Sequence, residues 1–182
     1  MGTLTMIVGP MYAGKTTKLI ELADFNISNN RSVMLFKPDA DTRYHATKIV
    51  THDGVAIDSV VIDTLAPSIQ TDAEVVFIDE LHLFHESIID IIHSLLKNDI
   101  DVVTSGVNKD FRGEPIRNFR ELFPHADEVF LLHSKCARCG EKAHLSQRLI
   151  EGEPANYNDP IIKVGSVETY EPRCKRCHKV TQ

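Results

Sequence analysis

The chain has 182 residues, of which 42% are hydrophobic and 25% are charged. This composition fits one globular domain with a small appendage and argues against disordered, collagen-like and coiled-coil proteins. The net charge of −6 argues against a general nucleic-acid binder, and the sequence has no apolar run of about 18 residues that could span a membrane. Because the N-terminus also lacks a secretory signal pattern, we expect a cytoplasmic protein whose partners include neither a membrane nor a nucleic acid.

Short apolar segments alternate with helical patterns over the first 132 residues. Runs rich in Val, Ile, Leu and Phe predict strands at residues 3–8, 33–36, 75–78, 101–104 and 129–132. Apolar residues at helical spacing predict helices over residues 15–25 and 84–96. This alternation predicts an α/β fold with a parallel sheet flanked by helices.

A phosphate-binding motif follows the first predicted strand. Residues 9–16 read Gly-Pro-Met-Tyr-Ala-Gly-Lys-Thr, which fits the P-loop pattern GxxxxGK followed by Ser or Thr. In such a loop, backbone N–H groups bind phosphate oxygens, Lys15 adds positive charge and the Thr16 hydroxyl ligates Mg²⁺. The predicted ATP and phosphate contacts are Gly9, Met11, Tyr12, Ala13, Gly14, Lys15, Thr16 and Thr17. We therefore predict a P-loop, RecA-like nucleotide-binding domain over residues 1–132.

Two acidic residues, Asp79 and Glu80, follow the apolar run at residues 75–78. A P-loop needs a carboxylate at the end of a neighbouring strand to complete its Mg²⁺ site, and Asp79 has that position. In an extended chain Glu80 would point to the opposite side, which suggests divided roles for the two acids. With Leu81 and His82 these residues also spell the DExH box of helicases. A helicase motor needs two sheet domains, so the length of the chain argues against that interpretation.

All four cysteines lie in the last 50 residues, as two CxxC pairs separated by 34 residues. We predict that Cys136, Cys139, Cys174 and Cys177 form a tetrahedral structural Zn²⁺ site, because disulfides are disfavoured in a reducing compartment. His178 is an alternative ligand. The net charge changes from −9 over residues 1–132 to +3 over residues 133–182. We therefore predict a small zinc-binding domain over residues 133–182.

The segment between the two cysteine pairs contains several Gly, Pro and Asn residues and predicts a long loop. With its ends fastened by a metal ion, such a loop suits a lasso-like lid that closes over a small ligand. The alternative function is that of a zinc-ribbon protein that uses ATP as a switch and acts on nucleic acid or protein.

In their order along the chain, these motifs resemble those of the type II thymidine kinases. The similar segments are residues 9–15, 37–38, 41–44, 79–80, 110–115 and 170–174, together with both cysteine pairs. The resemblance implies that ATP gives its γ-phosphoryl group to the 5′-hydroxyl of thymidine, with Glu80 as the general base. It also implies that Arg43 neutralises charge on the transferred group and that Asp41 joins Thr16 and Asp79 around Mg²⁺.

The resemblance further implies which residues form the nucleoside pocket. They are Met11, His82, Leu83, Val107, Phe111, Ser146 and Tyr170. The base would stack on Phe111, Tyr170 would close the sugar side, and backbone groups of the lid would select thymine. Arg148 is either a phosphate contact or a solvated arginine of the lid.

Four positions depart from the family pattern, namely His82, Leu83, Asn108 and Ser166. They concern the lining of the pocket more than the phosphate-binding residues, so deoxyuridine or another pyrimidine nucleoside is an alternative substrate. The family commonly forms homotetramers, and the resemblance implies the same assembly here.

Overall fold

The computed structural model describes residues 1–41, 47–51, 53–161 and 168–182. The first 132 residues contain β1 (Leu4–Val8), α1 (Lys15–Ser28), β2 (Val33–Pro38), β3 (Lys48–Val50), β4 (Ala56–Asp58), β5 (Val60–Ile62), β6 (Val75–Ile78), α2 (Ile88–Lys97), β7 (Asp101–Gly106), α3 (Arg117–Leu122) and β8 (Glu128–Leu131). The later residues contain β9 (Ser134–Lys135), β10 (Lys142–Ala143), β11 (Leu145–Ile150), β12 (Glu153–Pro154) and β13 (Glu168–Arg173). Within the described ranges, every helix is too short or too polar to cross a membrane.

The central sheet has the strand order β5-β2-β6-β7-β1-β8, and all its neighbouring strands are parallel. The five predicted strands all lie in it, so the predicted α/β class is confirmed. The edge strand β5 was missed in the sequence. It has only three residues, and two of them, Val60 and Val61, are 45% and 37% exposed, so they give no buried-strand signal.

Helices cover both faces of this sheet. In β6, Val75 and Phe77 belong to the apolar cluster beneath α1, whereas Val76 and Ile78 belong to the cluster beneath α2 and α3. Successive strand residues point to opposite faces, so a strand buried on both sides must be apolar throughout. This is why the uninterrupted apolar runs predicted the sheet correctly.

The chain turns sharply between β6 and α2. The helix predicted from residue 84 begins only at Ile88, because Leu81–Leu83 form one 3₁₀ turn and Phe84 is extended. The Phe84 side chain is nevertheless buried, so it continues the apolar pattern without a helical backbone. The side-chain amide of Asn118, in α3, donates hydrogen bonds to the carbonyls of Leu81 and Phe84 at 3.0 and 2.8 Å and holds the turn in place.

The strands after β8 are antiparallel, and residues 133–182, which contain them, are called the second unit or the tail below, with residues 1–132 as the first unit. β9 pairs with β10, and β11 pairs with both β12 and β13. The predicted long loop between the cysteine pairs is therefore shorter than expected, because β11, β12 and β13 occupy part of this segment, whereas residues 155–161 lie outside helices and strands. β11 was missed because three consecutive polar residues, Ser146, Gln147 and Arg148, are buried in it, so it lacks an apolar pattern. The predicted boundary after residue 132 falls between β8 and β9.

Candidate functional site

The P-loop lies where β1 meets α1, at the carboxyl end of the parallel sheet. Two of its glycines are required by geometry. A Cβ at Gly9 would lie 2.6 Å from the carbonyl oxygen of Leu132, and Gly14 has φ = +78° directly before α1. The first turn of α1 contains no acidic residue, so its N–H groups and positive dipole end are available to an anion.

A cleft extends from the P-loop across the ends of neighbouring strands. Its lining consists of Met11, Tyr12, Ala13, Gly14, Lys15, Thr16, Thr17, Lys37, Asp41, Lys48, Val50, Thr51, Asp79, Glu80, His82 and Val107. All the predicted phosphate contacts except Gly9 line this cleft. Gly9 instead packs closely against the backbone of Leu132. Lys15 is buried and donates from Nζ to the carbonyl of Pro10 at 2.8 Å. The structure thus brings the P-loop and the acids after β6 to one cleft.

Asp79 is a buried carboxylate of this cleft. Its Oδ1 accepts hydrogen bonds from the Ser105 hydroxyl and from the Glu80 N–H, the latter at 2.9 Å. Its Oδ2 lies 3.4 Å from the Thr16 hydroxyl, which donates to it. Burial, with the charge of Glu80 as the next cause, raises the pKa of Asp79 to about 6. Negative charge therefore accumulates beside the P-loop, where a bound cation would stabilise it.

Glu80 lies beside Asp79 but does not continue the strand. Its backbone has φ = 50° and ψ = 42°, so the expectation that an extended chain would send the two acids to opposite sides was wrong. Both side chains line the same cleft. The Glu80 Oε2 is 3.3 Å from the Nδ1 of His82, and a left-handed conformation in a residue other than glycine is held by the surrounding fold.

The predicted nucleoside contacts separate into two groups. Met11, His82 and Val107 line the cleft, whereas Leu83, Phe111, Ser146 and Tyr170 are not part of its lining. Phe111 is buried, and Tyr170 lies on β13 opposite Arg148 of β11. Arg43 and Ser166 lie outside the described residues.

Consecutive residues of β11 bind three different parts of the molecule. The Ser146 Oγ accepts a hydrogen bond from the backbone N–H of Met11, in the P-loop, at 3.0 Å. The Gln147 side chain donates to the carbonyl of Lys179 and accepts from its N–H, at 2.7 and 2.8 Å. Arg148 Nη1 donates to the carbonyl of Pro160. β11 therefore joins the P-loop to the middle of the lid segment and to the residues after the second cysteine pair.

Arg148 is completely buried, with its guanidinium carbon 4.9 Å from the centre of the Phe111 ring. The interpretation of this residue as a solvated arginine was therefore wrong, and Arg148 is not part of the lining of the phosphate cleft. A cation over an aromatic face is a favourable contact, more so when it is shielded from water. Arg148 fixes the Phe111 ring from one side.

Further contacts between the two units were not anticipated from sequence. The guanidinium of Arg112 lies 5.1 Å from the centre of the Tyr157 ring and pairs with Asp110 at 2.6 Å. The Tyr157 hydroxyl donates to Glu114. Tyr157 lies more than 40 residues after Arg112 and Glu114, its partners in the first unit, and no local pattern relates them; the pair between Arg112 and Asp110 lies within the first unit.

The four cysteines form one cluster, in which all the sulfur atoms lie within 4.8 Å of one another. Cys139 Sγ and Cys174 Sγ are 3.6 Å apart, close to the sulfur–sulfur spacing of about 3.8 Å expected around zinc from a Zn–S bond of about 2.3 Å. Burial disfavours the Cys136 thiolate, but hydrogen bonds from the backbone of Cys174, Arg138 and Cys139 outweigh it and lower its pKa to about 6. The donor set and its spacing fit zinc.

His178 does not belong to this cluster. Its Nε2 lies 2.8 Å from the carbonyl oxygen of Phe111, and burial lowers its pKa. The tail is thereby attached to the segment that carries Phe111.

A P-loop that opens a helix, with paired carboxylates at the end of another parallel strand of the same sheet, is the arrangement of the P-loop nucleotide-binding phosphotransferases. The family profile of thymidine kinases matches residues 2–178. A thymidine kinase of Thermococcus kodakarensis is 39% identical over 187 aligned residues, which cover 98% of this chain and 95% of the relative. The chain belongs to the thymidine kinase family. It is therefore an ATP-dependent kinase, as predicted, and the zinc-ribbon switch is no longer needed to explain its motifs.

Proposed function

We propose that the chain transfers the γ-phosphoryl group of ATP to the 5′-hydroxyl of thymidine, with Glu80 as the general base. The observation that carries this proposal is the position of Glu80, which is buried in the same cleft as the P-loop residues Lys15 and Thr16. A carboxylate held there can accept the proton of a hydroxyl that attacks the terminal phosphate. The hydrogen bond or ion pair with His82 at 3.3 Å would keep Glu80 oriented.

In phosphoryl transfer, the protein acts mainly by positioning the reactants and stabilising their charge. Lys15 and the N–H groups of the P-loop would hold the β and γ phosphates. Arg43, proposed on the resemblance alone, would neutralise charge on the transferred group. The proton leaves the 5′-hydroxyl for Glu80 as the new O–P bond forms, and ADP leaves with the electrons of the broken bond.

Thr16, Asp41 and Asp79 are the residues that would hold Mg²⁺. Their hydroxyl and carboxylate oxygens are the ligand type that Mg²⁺ prefers, and all three line the cleft. When held there, the ion would supply positive charge that stabilises the phosphate groups of ATP. The raised pKa of Asp79 supports this assignment, because burial first, and then the charges of Glu80 and Asp41, disfavour its charged form, and a bound cation would offset both effects.

For the nucleoside we propose a pocket between the cleft and the lid. Met11, His82 and Val107 would form its cleft side, and Phe111, Tyr170, Ser146 and Leu83 keep the assignments that the resemblance implies. Phe111 is held by Arg148 on its ring and by His178 at its carbonyl, so it would offer the base a rigid surface. Thymine selection by the lid backbone and acceptance of deoxyuridine belong to the same proposal.

We also propose that the cysteine cluster binds zinc and that a domain boundary lies near residue 132. The protein would be cytoplasmic, and it would form a homotetramer. The homotetramer is supported by the edge strand β8, whose Val129 and Leu131 are 43% and 59% exposed. Exposed apolar residues on a sheet edge favour association with another chain.

The decisive experiment is the substitution Glu80→Gln, which keeps the shape of the side chain but removes its basicity. Thymidine-dependent release of ADP should fall by at least about 100-fold, while ATP binding measured by calorimetry stays within about threefold. The matched control is Glu21→Gln, at an exposed position of α1, which should leave turnover unchanged. Unchanged turnover in Glu80→Gln would exclude Glu80 as the base, and wild-type protein inactive on every pyrimidine nucleoside would exclude the function.

A further inference from the structure

A second buried lysine lies in the cleft, in addition to Lys15 of the P-loop. Lys37 belongs to β2 and is 2% exposed. Its Nζ lies 3.7 Å from Asp41 Oδ2 and donates to the carbonyl oxygen of Lys48, in β3, at 3.2 Å. One ammonium group thus contacts a carboxylate of the cleft and the backbone of a strand on the opposite wall.

The sheet register places Lys37 close to the acids after β6. Phe36 of β2 is paired with Ile78 of β6, and the Asp79 N–H donates to the Phe36 carbonyl at 3.0 Å. Lys37 and Asp79 are therefore the next residues on two adjacent parallel strands, at the carboxyl edge where a doubly wound sheet binds its ligand. Lys37, Asp41 and Asp79 all line the cleft.

Stability alone does not explain a lysine in this place. Taking an ammonium group out of water is unfavourable, and an ion pair in a protein interior often contributes no net stability. The buried Lys37 ammonium group beside the ligand-binding cleft is better explained by the neighbouring side chain that it orients.

We propose that Lys37 is a positioning residue that holds the Asp41 carboxylate in place for the divalent cation. By bonding to Lys48 as well, it attaches β3 to the same point and closes the wall of the cleft around Asp41. The inference rests on the proposed function in one respect, the role of Asp41 in holding the cation. Residues that orient a metal ligand typically change metal affinity by about 10- to 100-fold when they are removed.

The test compares wild type with Lys37→Met, which keeps the length of the side chain and removes its charge. Binding of Mn²⁺ to the enzyme–ADP complex is measured from the electron paramagnetic resonance signal of free Mn²⁺, together with the melting temperature. We expect Mn²⁺ affinity to fall by about 10- to 100-fold in a protein that remains folded. Lys97→Met, an exposed lysine at the end of α2, is the matched control and should bind Mn²⁺ as wild type does.

A double substitution separates this role from direct contact with the nucleotide. If Lys37 acts through Asp41, Lys37→Met combined with Asp41→Asn should weaken Mn²⁺ binding no more than the stronger single change, because both remove one interaction. Additive losses, or unchanged Mn²⁺ affinity with weaker ADP binding, would overturn the proposal. Wild-type protein without thymidine-dependent turnover would instead contradict the proposed function, so the two failures are distinguishable.

Discussion

The two units of this molecule are stabilised by different interactions. In the first, apolar side chains of the parallel sheet pack beneath helices on both faces. In the second, three buried residues of β11 are polar, and the small core contains two cysteines with Ala143. Burial of apolar area stabilises the first unit whatever is bound. The second relies on hydrogen bonds, on a buried cation and on the sulfur cluster.

This difference predicts which part of the molecule is more sensitive to the loss of a single interaction. A sheet buried on both faces is a rigid support for phosphate binding, whereas a unit with a polar interior loses stability when one partner is removed, since the other is left buried and unsatisfied. The tail contacts the P-loop through Ser146 and the Phe111 segment through Arg148 and His178. Changes in the tail should therefore weaken binding of the nucleoside more than binding of ATP.

Removal of zinc should produce the largest separation between the two units. Metal binding to such sites contributes about 10–16 kcal/mol in small zinc peptides, so the chelated protein should lose its tail structure while the sheet persists. After chelation and transfer into excess Mg²⁺, we expect the KM for thymidine to rise at least about tenfold more than the KM for ATP. Hydrogen exchange should be fast in residues 133–182 and slow in β1, β6 and β7.

Added Zn²⁺ should restore both measurements, which is the control for irreversible damage. Equal loss of affinity for both substrates, together with fast exchange throughout the sheet, would show that the metal supports the whole molecule. In that case the contrast between the two units would be wrong.

Arg148→Met is expected to have the next largest effect. The change removes a charged hydrogen bond to Pro160 and the cation over the Phe111 ring, and each is worth about 2 kcal/mol in a buried place. We expect the free energy of unfolding of the tail to fall by about 3 kcal/mol and the thymidine KM to rise more than the ATP KM. The free energy of unfolding is measured in urea, with chemical labelling of the tail cysteines as the signal. The two KM values are measured by steady-state kinetics.

The matched control is Arg138→Met, at an exposed arginine of the same unit, which should change neither quantity appreciably. If Arg148→Met instead weakened ATP and thymidine alike, Arg148 would support the P-loop rather than Phe111.

The features that could be predicted from sequence are those whose signal is local. The P-loop needs Gly9, Gly14 and Lys15 at fixed spacing, and β6 is apolar because both of its faces are buried. The cysteine cluster was predictable from its two pairs. In each case a few neighbouring residues determine the outcome, and the structure brings them together as expected.

The features that could not be predicted depend on partners that are distant in the sequence. Arg148 looked like a surface residue because its partner Phe111 lies 37 positions earlier in another unit. Lys37 belongs to a segment that resembles the family, but its role was not predicted, because its contacts arise only when β2 lies beside β6 and β3. The left-handed conformation of Glu80 also depends on the packed turn after β6. The local sequence Val-Val-Phe-Ile-Asp-Glu does not predict this turn.

The smallest effect that we predict concerns the bond between the units. Ser146→Ala removes the hydroxyl that accepts the Met11 N–H at 3.0 Å, a hydrogen bond worth about 1 kcal/mol. If this bond transmits nucleotide binding to the lid, its loss should reduce by about fivefold the factor by which thymidine strengthens binding of a non-hydrolysable ATP analogue. Calorimetric titration of the analogue with and without thymidine measures that factor directly. Ser28→Ala, at an exposed helix position, should leave the factor unchanged, and an unchanged factor in Ser146→Ala as well would mean that the two units communicate through Phe111 instead.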